Sequence, residues 1–284
     1  MQHQPKKKYG QNFLKDVNLL KKIVSKANLK GKNVIEIGPG KGSLTNLITK
    51  EANLLLAYEI DPTLKPFLVF DTTKIKIIYD NFLKRDLVKD FDNYFSINCQ
   101  LSLISNLPYY ITTPILFKII QTPQIVDATL MMQKEVGMRL MAQPNSKNYN
   151  ALSVITQYFF NIEKIQEVKS HMFFPQPKVD SVVLKLSKHK SDFNTFSTSS
   201  QKNFITFVKA AFKQKRKTLL NNLSSVFLLP KTEIILFFEQ NKLLTKIRAE
   251  EITLKEFQKI SIQWFLFQNK TKESQLNNYI LKKV

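Results

Sequence analysis

The sequence predicts an α/β protein in which a doubly wound parallel sheet precedes a small all-helical C-terminal domain. Three observations support this prediction. Short apolar segments alternate with segments of helical periodicity between residues 34 and 132, which is the pattern of repeated βαβ units. A glycine-rich turn, Gly38–Gly42, joins the first strand to the helix that follows it. Beyond residue 200, the apolar residues recur at helical spacing.

The elements of the first domain follow one another in the order that such a sheet requires. Apolar residues at helical spacing predict a helix that begins near Asp16, before a turn at residues 31–33. Two further helices are predicted at Leu44–Lys50 and Thr113–Gln121. The predicted strands are Val34–Ile37, Leu54–Ile60, Ile75–Tyr79, Leu101–Ser105 and Ala128–Met132.

Two more strands are predicted, at Ser153–Ile162 and Ser181–Leu186, and the segments after them have the patterns of a linker and of helices. Ser187–Ser200 is rich in Ser, Thr and charge, which predicts a linker. We therefore expect two domains, residues 1–186 and residues 187–284. The helices predicted for the second are Phe204–Phe212, Arg216–Leu223, Thr232–Asn241 and Leu254–Phe267.

The charge of the chain predicts a polyanionic partner. The net charge is +21 over 284 residues, and such an excess is typical of proteins that bind nucleic acid. Residues 1–186 carry +10 and the much shorter segment 187–284 carries +11. We therefore expect the second domain to bind the backbone of a nucleic acid. The alternative is that its basic surface binds no partner.

Several other classes of protein lack support in the sequence. Cys99 is the only cysteine, so no disulfide can form within the chain, which fits a reducing cytoplasm. The three histidines, His3, His171 and His189, do not have metal-ligand spacing. No stretch approaches 18 apolar residues, and the N-terminus lacks the apolar region of a secretory signal. We expect a cytoplasmic monomer that binds neither a metal nor a membrane.

Polar or glycine residues stand at the carboxyl ends of four predicted strands, where doubly wound sheets bind ligands. These residues are Gly38, Glu59, Asp80 and Asn106. Gly38 allows a close approach of the backbone to a ligand. Glu59 follows 21 residues later, the distance at which an acidic residue accepts the ribose hydroxyls of an adenosine cofactor. Asp80 is placed to accept from an adenine amine.

The glycine turn differs from the two best-known phosphate-binding motifs. Its third glycine, Gly42, comes one position too early for the dinucleotide fingerprint, and no Walker motif is present. Glu36, Glu59 and Asp80 would form an acidic rim, which suits a sulfonium cation and repels a pyrophosphate. This favours S-adenosylmethionine over NAD or ATP, with an ordinary strand-to-helix turn as the alternative.

The segment Asn106–Tyr109 has the composition of a clamp for the amino group of adenine. The lone pair of that nitrogen is delocalised into the ring, so two hydrogen-bond acceptors are needed to draw it out for attack. The Asn106 side chain and the Leu107 carbonyl supply two acceptors, Pro108 stiffens the loop, and Tyr109 offers a ring for stacking. A plain proline-containing turn is the alternative.

A second ring for the opposite face of the base is predicted in the segment Phe173–Ser181. Here Phe173 is the candidate, and a base held between two rings must first leave its stack. The alternative is a rigid connector before a strand, in which Phe173 belongs to the core.

The ordered motifs resemble those of the KsgA-type small-subunit (16S) rRNA adenine N6-dimethyltransferases, from about Lys8 to Ile252. One departure is Asn81, which stands where the family frequently has alanine. The matching segments are Tyr9–Leu14, Glu36–Thr45, Glu59–Asp61, Ser105–Tyr109, Gln133–Val136, Pro144–Lys147, Phe173–Ser181, Lys215–Leu219 and Arg248–Glu251.

This resemblance implies a Rossmann-like class I S-adenosylmethionine-dependent methyltransferase domain before the helical domain. It implies dimethylation of two adjacent adenosines in the 3′-terminal hairpin of 16S rRNA, during small-subunit biogenesis. The donor would be held by Asn12, Leu14, Gly38, Glu59, Asp80 and Asn106, and the target adenine by Asn106, Leu107, Pro108, Tyr109 and Phe173.

Three other functions remain open at this level. The related enzymes that methylate 23S rRNA and confer macrolide resistance share the donor site, although Leu107 and Pro144–Lys147 favour the small-subunit enzyme. A non-catalytic assembly factor with the same fold is a second alternative, against which Glu59, Asp80 and Asn106 argue. DNA adenine methylases usually carry a second proline in the clamp, where this chain has Leu107.

Overall fold

A computed structural model of the protein describes residues 3–70, 73–97, 99–189 and 198–281. The chain divides into two compact units. The first contains Met1–Gly137 and Phe160–His189, and the second contains Met138–Phe159 and Lys190–Val284. No helix within the described ranges is long and apolar enough to cross a membrane.

The first unit is built on a mixed sheet with the order β4-β3-β2-β5-β6-β9-β7, beside a short ribbon of β1 and β8. The strands from β4 to β6 are parallel, whereas β9 runs antiparallel to both of its neighbours. The strands are β1 Phe13–Leu14, β2 Asn33–Ile37, β3 Leu54–Tyr58, β4 Ile75–Ile78, β5 Leu101–Asn106, β6 Ile125–Gln133, β7 Phe160–Val168, β8 Phe173–Phe174 and β9 Ser181–Lys188.

The parallel strands are mostly apolar because helices cover both faces of such a sheet. In β2, for example, Val34 and Ile35 are both fully buried although they point to opposite faces. The helices that begin in this unit are α1 Val17–Ala27, α2 Thr45–Glu51, α3 Leu87–Tyr94, α4 Thr112–Gln121 and α5 Lys134–Leu140.

The order of strands reverses between β2 and β5, which creates a crevice beyond their carboxyl ends. Helix α1 begins where the sequence predicts, because the Asp16 carboxylate accepts the backbone N–H of Leu19 at 2.9 Å. The five predicted strands from residue 34 to 132 and the α/β class are confirmed, but the antiparallel strand β9 makes the sheet mixed rather than purely parallel.

The second unit is helical over its described residues, and aromatic side chains fill its core. The Trp264 side chain is fully buried, and its ring lies 5.0 Å from that of Phe237. Its complete helices are α6 Ala151–Phe159, α7 Thr198–Ala211, α8 Leu219–Phe227, α9 Lys231–Gln240 and α10 Leu254–Leu281.

Two predictions of secondary structure need correction. The predicted strand Ser153–Ile162 is wrong, because its first part belongs to helix α6, and β7 begins only at Phe160. The β-branched and aromatic residues of this segment favour a strand, but packing overrides that preference, as in the stack of Tyr158 on Phe204 at 3.9 Å. The predicted linker Ser187–Ser200 lies partly outside the described residues, and α7 already begins at Thr198.

Candidate functional site

A cavity lies at the carboxyl ends of β2, β3 and β5, on the side of the sheet where the strand order reverses. Asp80 and Phe173, which the sequence also proposes as site residues, do not line it. The structure does bring together eight of the proposed residues around this cavity: Asn12, Leu14, Gly38, Glu59, Asn106, Leu107, Pro108 and Tyr109.

The glycine turn forms one wall and requires glycine for two reasons. Gly38 and Gly40 have φ angles of +68° and +60°, in the left-handed region that other residues rarely adopt. A Cβ atom at Gly40 would also lie 2.8 Å from the Cε1 atom of Phe13. The Gly38 amide is bonded to the Tyr58 carbonyl oxygen at 2.8 Å, which ties the turn to the end of β3.

Glu59 belongs to the same wall as the glycine turn and is almost fully buried, with 3% of its surface exposed. Its Oε2 atom accepts the N–H of Gly40 at 3.0 Å, and its Oε1 atom accepts the N–H of Asp61 at 2.8 Å. Burial raises the pKa of the Glu59 carboxyl, and these two bonds act against that rise. Each carboxylate oxygen has a second lone pair, so the side chain retains capacity for two ligand hydroxyls.

Glu36 also lines the cavity and is the most isolated acidic group there. It is 1% exposed, and its Oε2 atom has no hydrogen-bond partner among the residues that the structure describes. Burial raises the pKa of Glu36 to about 8, the nearby Thr45 hydroxyl acts against this rise, and the charge of Glu59 adds to it. A buried acceptor without a partner costs free energy, which a positively charged or hydrogen-bonding ligand would recover.

Asp80 lies outside this cavity wall and is already paired. It follows β4, its side chain is 46% exposed, and its carboxylate accepts the Asn81 N–H at 2.7 Å and the Arg85 guanidinium at 3.2 Å. These bonds, with that of Asn81 the stronger, lower the pKa of Asp80. Of the three residues predicted to form an acidic rim, Glu36 and Glu59 line the cavity, while Arg85 offsets the charge of Asp80.

The opposite wall is the segment Asn106–Tyr109, held by contacts distant in sequence. The Asn106 Nδ2 atom donates to the Asn12 carbonyl oxygen at 2.9 Å, which leaves the Oδ1 atom as an acceptor. The Leu107 amide is bonded to the Met131 carbonyl oxygen at 3.0 Å. The hydroxyl groups of Tyr109 and Ser181 lie 2.7 Å apart, and this contact fixes the tyrosine ring.

The ribbon of β1 and β8 separates the two phenylalanines of the predicted second-ring segment. Phe173 is 2% exposed and packs in the core with Leu14, as the alternative interpretation of this segment expects. Phe174 is 50% exposed, and the Lys15 ammonium lies 4.8 Å from its ring centroid. The sequence did not single out Phe174 as a candidate ring, although neighbouring residues of a strand face opposite sides.

A model of the family described as ribosomal RNA adenine dimethylase matches residues 2–263. The chain belongs to this family. Among curated relatives, the ribosomal RNA small subunit methyltransferase A of Phytoplasma australiense is 99% identical over 284 residues, which is the full length of both chains. The protein of the same name from Aster yellows witches'-broom phytoplasma (strain AYWB) is 67% identical over 95% of this chain and 99% of its own.

Solved structures support the same fold at lower identity. A dimethyladenosine transferase from Plasmodium falciparum has a TM-score of 0.72 at 24% identity and covers 90% of this chain and 98% of its own. The 23S rRNA methyltransferase ErmE has a TM-score of 0.64 at 21% identity, over 88% and 98%. The chain is therefore a methyltransferase with a Rossmann-like class I catalytic fold.

Within the described residues, no group of three His, Cys, Asp or Glu side chains is arranged to hold a metal ion. The cavity itself has two walls. One wall, which we call the donor side, consists of Gly38, Gly40, Glu36 and Glu59. The other, the target side, consists of Asn106, Leu107, Pro108 and Tyr109.

Proposed function

We propose that the enzyme dimethylates N6 of two adjacent adenosines in the 3′-terminal hairpin of 16S rRNA, with S-adenosylmethionine as the methyl donor, during small-subunit biogenesis. The observation that carries this proposal is that one cavity joins an acidic glycine-turn wall to the Asn106–Tyr109 wall. The names of the 99% and 67% identical relatives support the choice of the small subunit.

The donor side has the chemistry that S-adenosylmethionine needs. The Glu59 carboxylate would accept the ribose hydroxyls, and the open space beside the backbone at Gly38 leaves room for the rest of the molecule. Asn12, Leu14, Asp80 and Asn106 would complete the donor contacts, with Asp80 at the adenine ring. The donor supplies a methyl group on a sulfonium sulfur, and the buried Glu36 Oε2 atom, which has no partner among the described residues, is available to a cationic or hydrogen-bonding group of the donor.

The target side would hold the adenine by its amino group. The Asn106 Oδ1 atom and the Leu107 carbonyl oxygen would accept the two N–H groups, which localises the nitrogen lone pair for attack on the methyl carbon. Pro108 and Tyr109 would limit the motion of the loop and stack on the base. No strong base is required, because the N6 proton becomes acidic once the methyl group has transferred.

The second aromatic contact is proposed for the ribbon of β1 and β8. Phe173 would act from the core by anchoring β8, because its ring is buried. The exposed ring of Phe174 would then be the one that meets the RNA, with Lys15 on one of its faces. Replacement of Phe174 with leucine, which keeps the apolar volume but removes the ring face, separates this contact from the anchoring role of Phe173.

Residues 187–284 are proposed as the main grip on the rRNA backbone. They carry +11, and Lys213, Lys215, Arg216 and Lys217 are exposed within one short run. The catalytic domain is proposed as residues 1–186. We also propose that the enzyme acts as a monomer in the cytoplasm, where ribosomal subunits are its substrate.

Transfer of labelled methyl groups to purified ribosomal subunits tests the proposal. Unmethylated small subunits should take up label as N6,N6-dimethyladenosine in the 3′-terminal fragment of their RNA. Small subunits that already carry these groups are the matched control and should take up none. Label on large subunits alone would favour the macrolide-resistance activity, and no transfer to either subunit would favour a non-catalytic assembly factor.

A further inference from the structure

The first residues of the described chain lie along the donor side of the cavity. We call residues 3–12 the N-terminal strap. Its last four residues, Tyr9, Gly10, Gln11 and Asn12, all line the cavity. Apart from one short 3-10 turn at Lys7–Tyr9, the strap has no regular structure of its own, so it depends on other contacts for its position.

Those contacts converge on Asp61, a fully buried carboxylate with 0% exposure. Its Oδ1 atom accepts the Lys6 ammonium at 2.8 Å, and its Oδ2 atom accepts the Gln11 side-chain amide at 3.0 Å. The Gln11 side-chain oxygen in turn accepts the Lys6 backbone N–H at 2.8 Å. Two side chains of the strap are therefore bonded to one buried group and, through the backbone, to each other.

Asp61 also touches the residue that we assign to the donor ribose. Its backbone N–H donates to the Glu59 Oε1 atom at 2.8 Å. Burial by itself raises the pKa of the Asp61 carboxyl, but the hydrogen bonds that it accepts, led by the one from Lys6, outweigh burial and hold this pKa well below its usual range. Asp61 is therefore charged, and the Lys6 cation offsets the repulsion between Asp61 and Glu59.

We propose that Asp61 is a positioning residue of the donor site, which fixes Glu59 through its backbone and latches the N-terminal strap over the bound donor through Lys6 and Gln11. This inference rests on the proposed use of the cavity for S-adenosylmethionine. In this proposal the strap opens when the donor enters and when S-adenosylhomocysteine leaves. The latch therefore sets the lifetime of both complexes and takes no part in methyl transfer itself.

Lys6 is the residue of the latch whose replacement tests the proposal. Lys6 is partly exposed, with 32% of its side chain accessible, so its replacement leaves no cavity in the apolar core. Lys6→Met removes the ammonium but keeps much of the apolar stem, and leaves Asp61 without its strongest partner. Lys7→Met is the matched control, because Lys7 is exposed in the same strap and the change in net charge is the same.

The measurement is the dissociation rate of S-adenosylhomocysteine from the full-length protein, by stopped-flow displacement, together with the equilibrium affinity by calorimetry. Lys6→Met should release the ligand about 10-fold faster and bind it about 10-fold more weakly, because a charged hydrogen bond that holds the strap is lost. Lys7→Met should behave as the parent. Lys6→Arg should restore most of the affinity, since a guanidinium can also reach a carboxylate.

Steady-state kinetics separates a latch from general damage to the fold. In Lys6→Met, the KM for S-adenosylmethionine should rise while kcat at saturating donor is retained. Equal donor affinity and equal release rates in Lys6→Met and the parent would overturn the latch, and so would an identical loss in Lys7→Met. A parent protein that does not bind the donor at all would instead refute the proposed function.

Discussion

On the donor side of the cavity, Glu59 accepts hydrogen bonds from residues that lie only 19 and 2 positions away in the chain. On the target side, Asn106 is held by Asn12 across 94 positions, and Tyr109 by Ser181 across 72. The donor side is thus formed by neighbouring strand ends, whereas the target side exists only when distant parts of the first unit are in place. Substitutions should therefore separate donor binding from methyl transfer.

The largest expected effect is on the target side. Asn106→Ala should lower methyl transfer to small subunits about 100-fold or more, because one preorganised acceptor for the adenine amine is removed. Binding of small subunits should change little. The measurement is single-turnover transfer of labelled methyl groups, with Asn93→Ala, at an exposed position of helix α3, as the control. Near-normal turnover of Asn106→Ala would refute the clamp.

A somewhat smaller loss is expected on the donor side. Glu59→Gln should weaken S-adenosylhomocysteine binding by about 10-fold to 100-fold, because the charged acceptor for the ribose hydroxyls is replaced by a neutral one. Calorimetry on the isolated protein measures this, with Glu51→Gln at an exposed position of helix α2 as the control. Unchanged affinity would mean that the end of β3 does not hold the ribose.

Substitutions in the basic second unit should weaken RNA binding and leave donor binding unchanged. Reversal of Lys213, Lys215 and Lys217 to Glu should weaken small-subunit binding by about 10-fold at about 150 mM salt and flatten its salt dependence, because fewer counterions are released. Donor affinity should stay at the parental value.

The control for this charge reversal is a triple Glu variant at Lys231, Lys242 and Lys246, which are exposed in the same unit and carry the same total charge. Equal losses in both variants would indicate a general effect of net charge. If the first variant binds small subunits as well as the parent does, the basic residues of the N-terminal strap become the better candidates for RNA binding.

The last expected effect concerns Glu36 and appears in the stability of the free enzyme. Its pKa is raised from 4.5 to about 8, so the folded protein holds a proton that the unfolded chain releases between those values. Stability should therefore fall as pH rises through this range, by up to about 1.4 kcal/mol per pH unit. Urea unfolding of the parent and Glu36→Gln tests this, and the variant should show a shallower fall. Equal slopes would mean that Glu36 is not protonated.

Those features of the site that depend on strand ends were predictable from the sequence. A glycine turn after β2 and an acidic residue after β3 must meet at one edge of a parallel sheet, and they do. Asp80 obeys the same rule, but its ion pair with Arg85 depends on the loop after β4, which periodicity does not reveal. The role proposed for Asp61 was not predictable, because its partners Lys6 and Gln11 lie 55 and 50 positions away in the chain.

Features that depend on contacts between distant segments of the chain were harder to predict from the sequence. The register of β1 against β8 places Phe173 opposite Leu14 and buries it, while Phe174 faces outward. Nothing near either strand in the sequence specifies this register. Likewise, helix α6 has the composition of a strand, and its contacts with the aromatic core of the second unit decide its conformation.

The claim that one cavity holds donor and target together is tested most directly with a bisubstrate analogue, in which N6 of adenosine is linked to the donor sulfur position. The parent should bind this compound at least about 10-fold more tightly than S-adenosylhomocysteine, since the second half binds without a further loss of translational freedom. Asn106→Ala should lose this advantage, with a smaller loss of affinity for S-adenosylhomocysteine, because Asn106 is also proposed as a donor contact. Equal affinities of the parent for the two compounds would contradict the account.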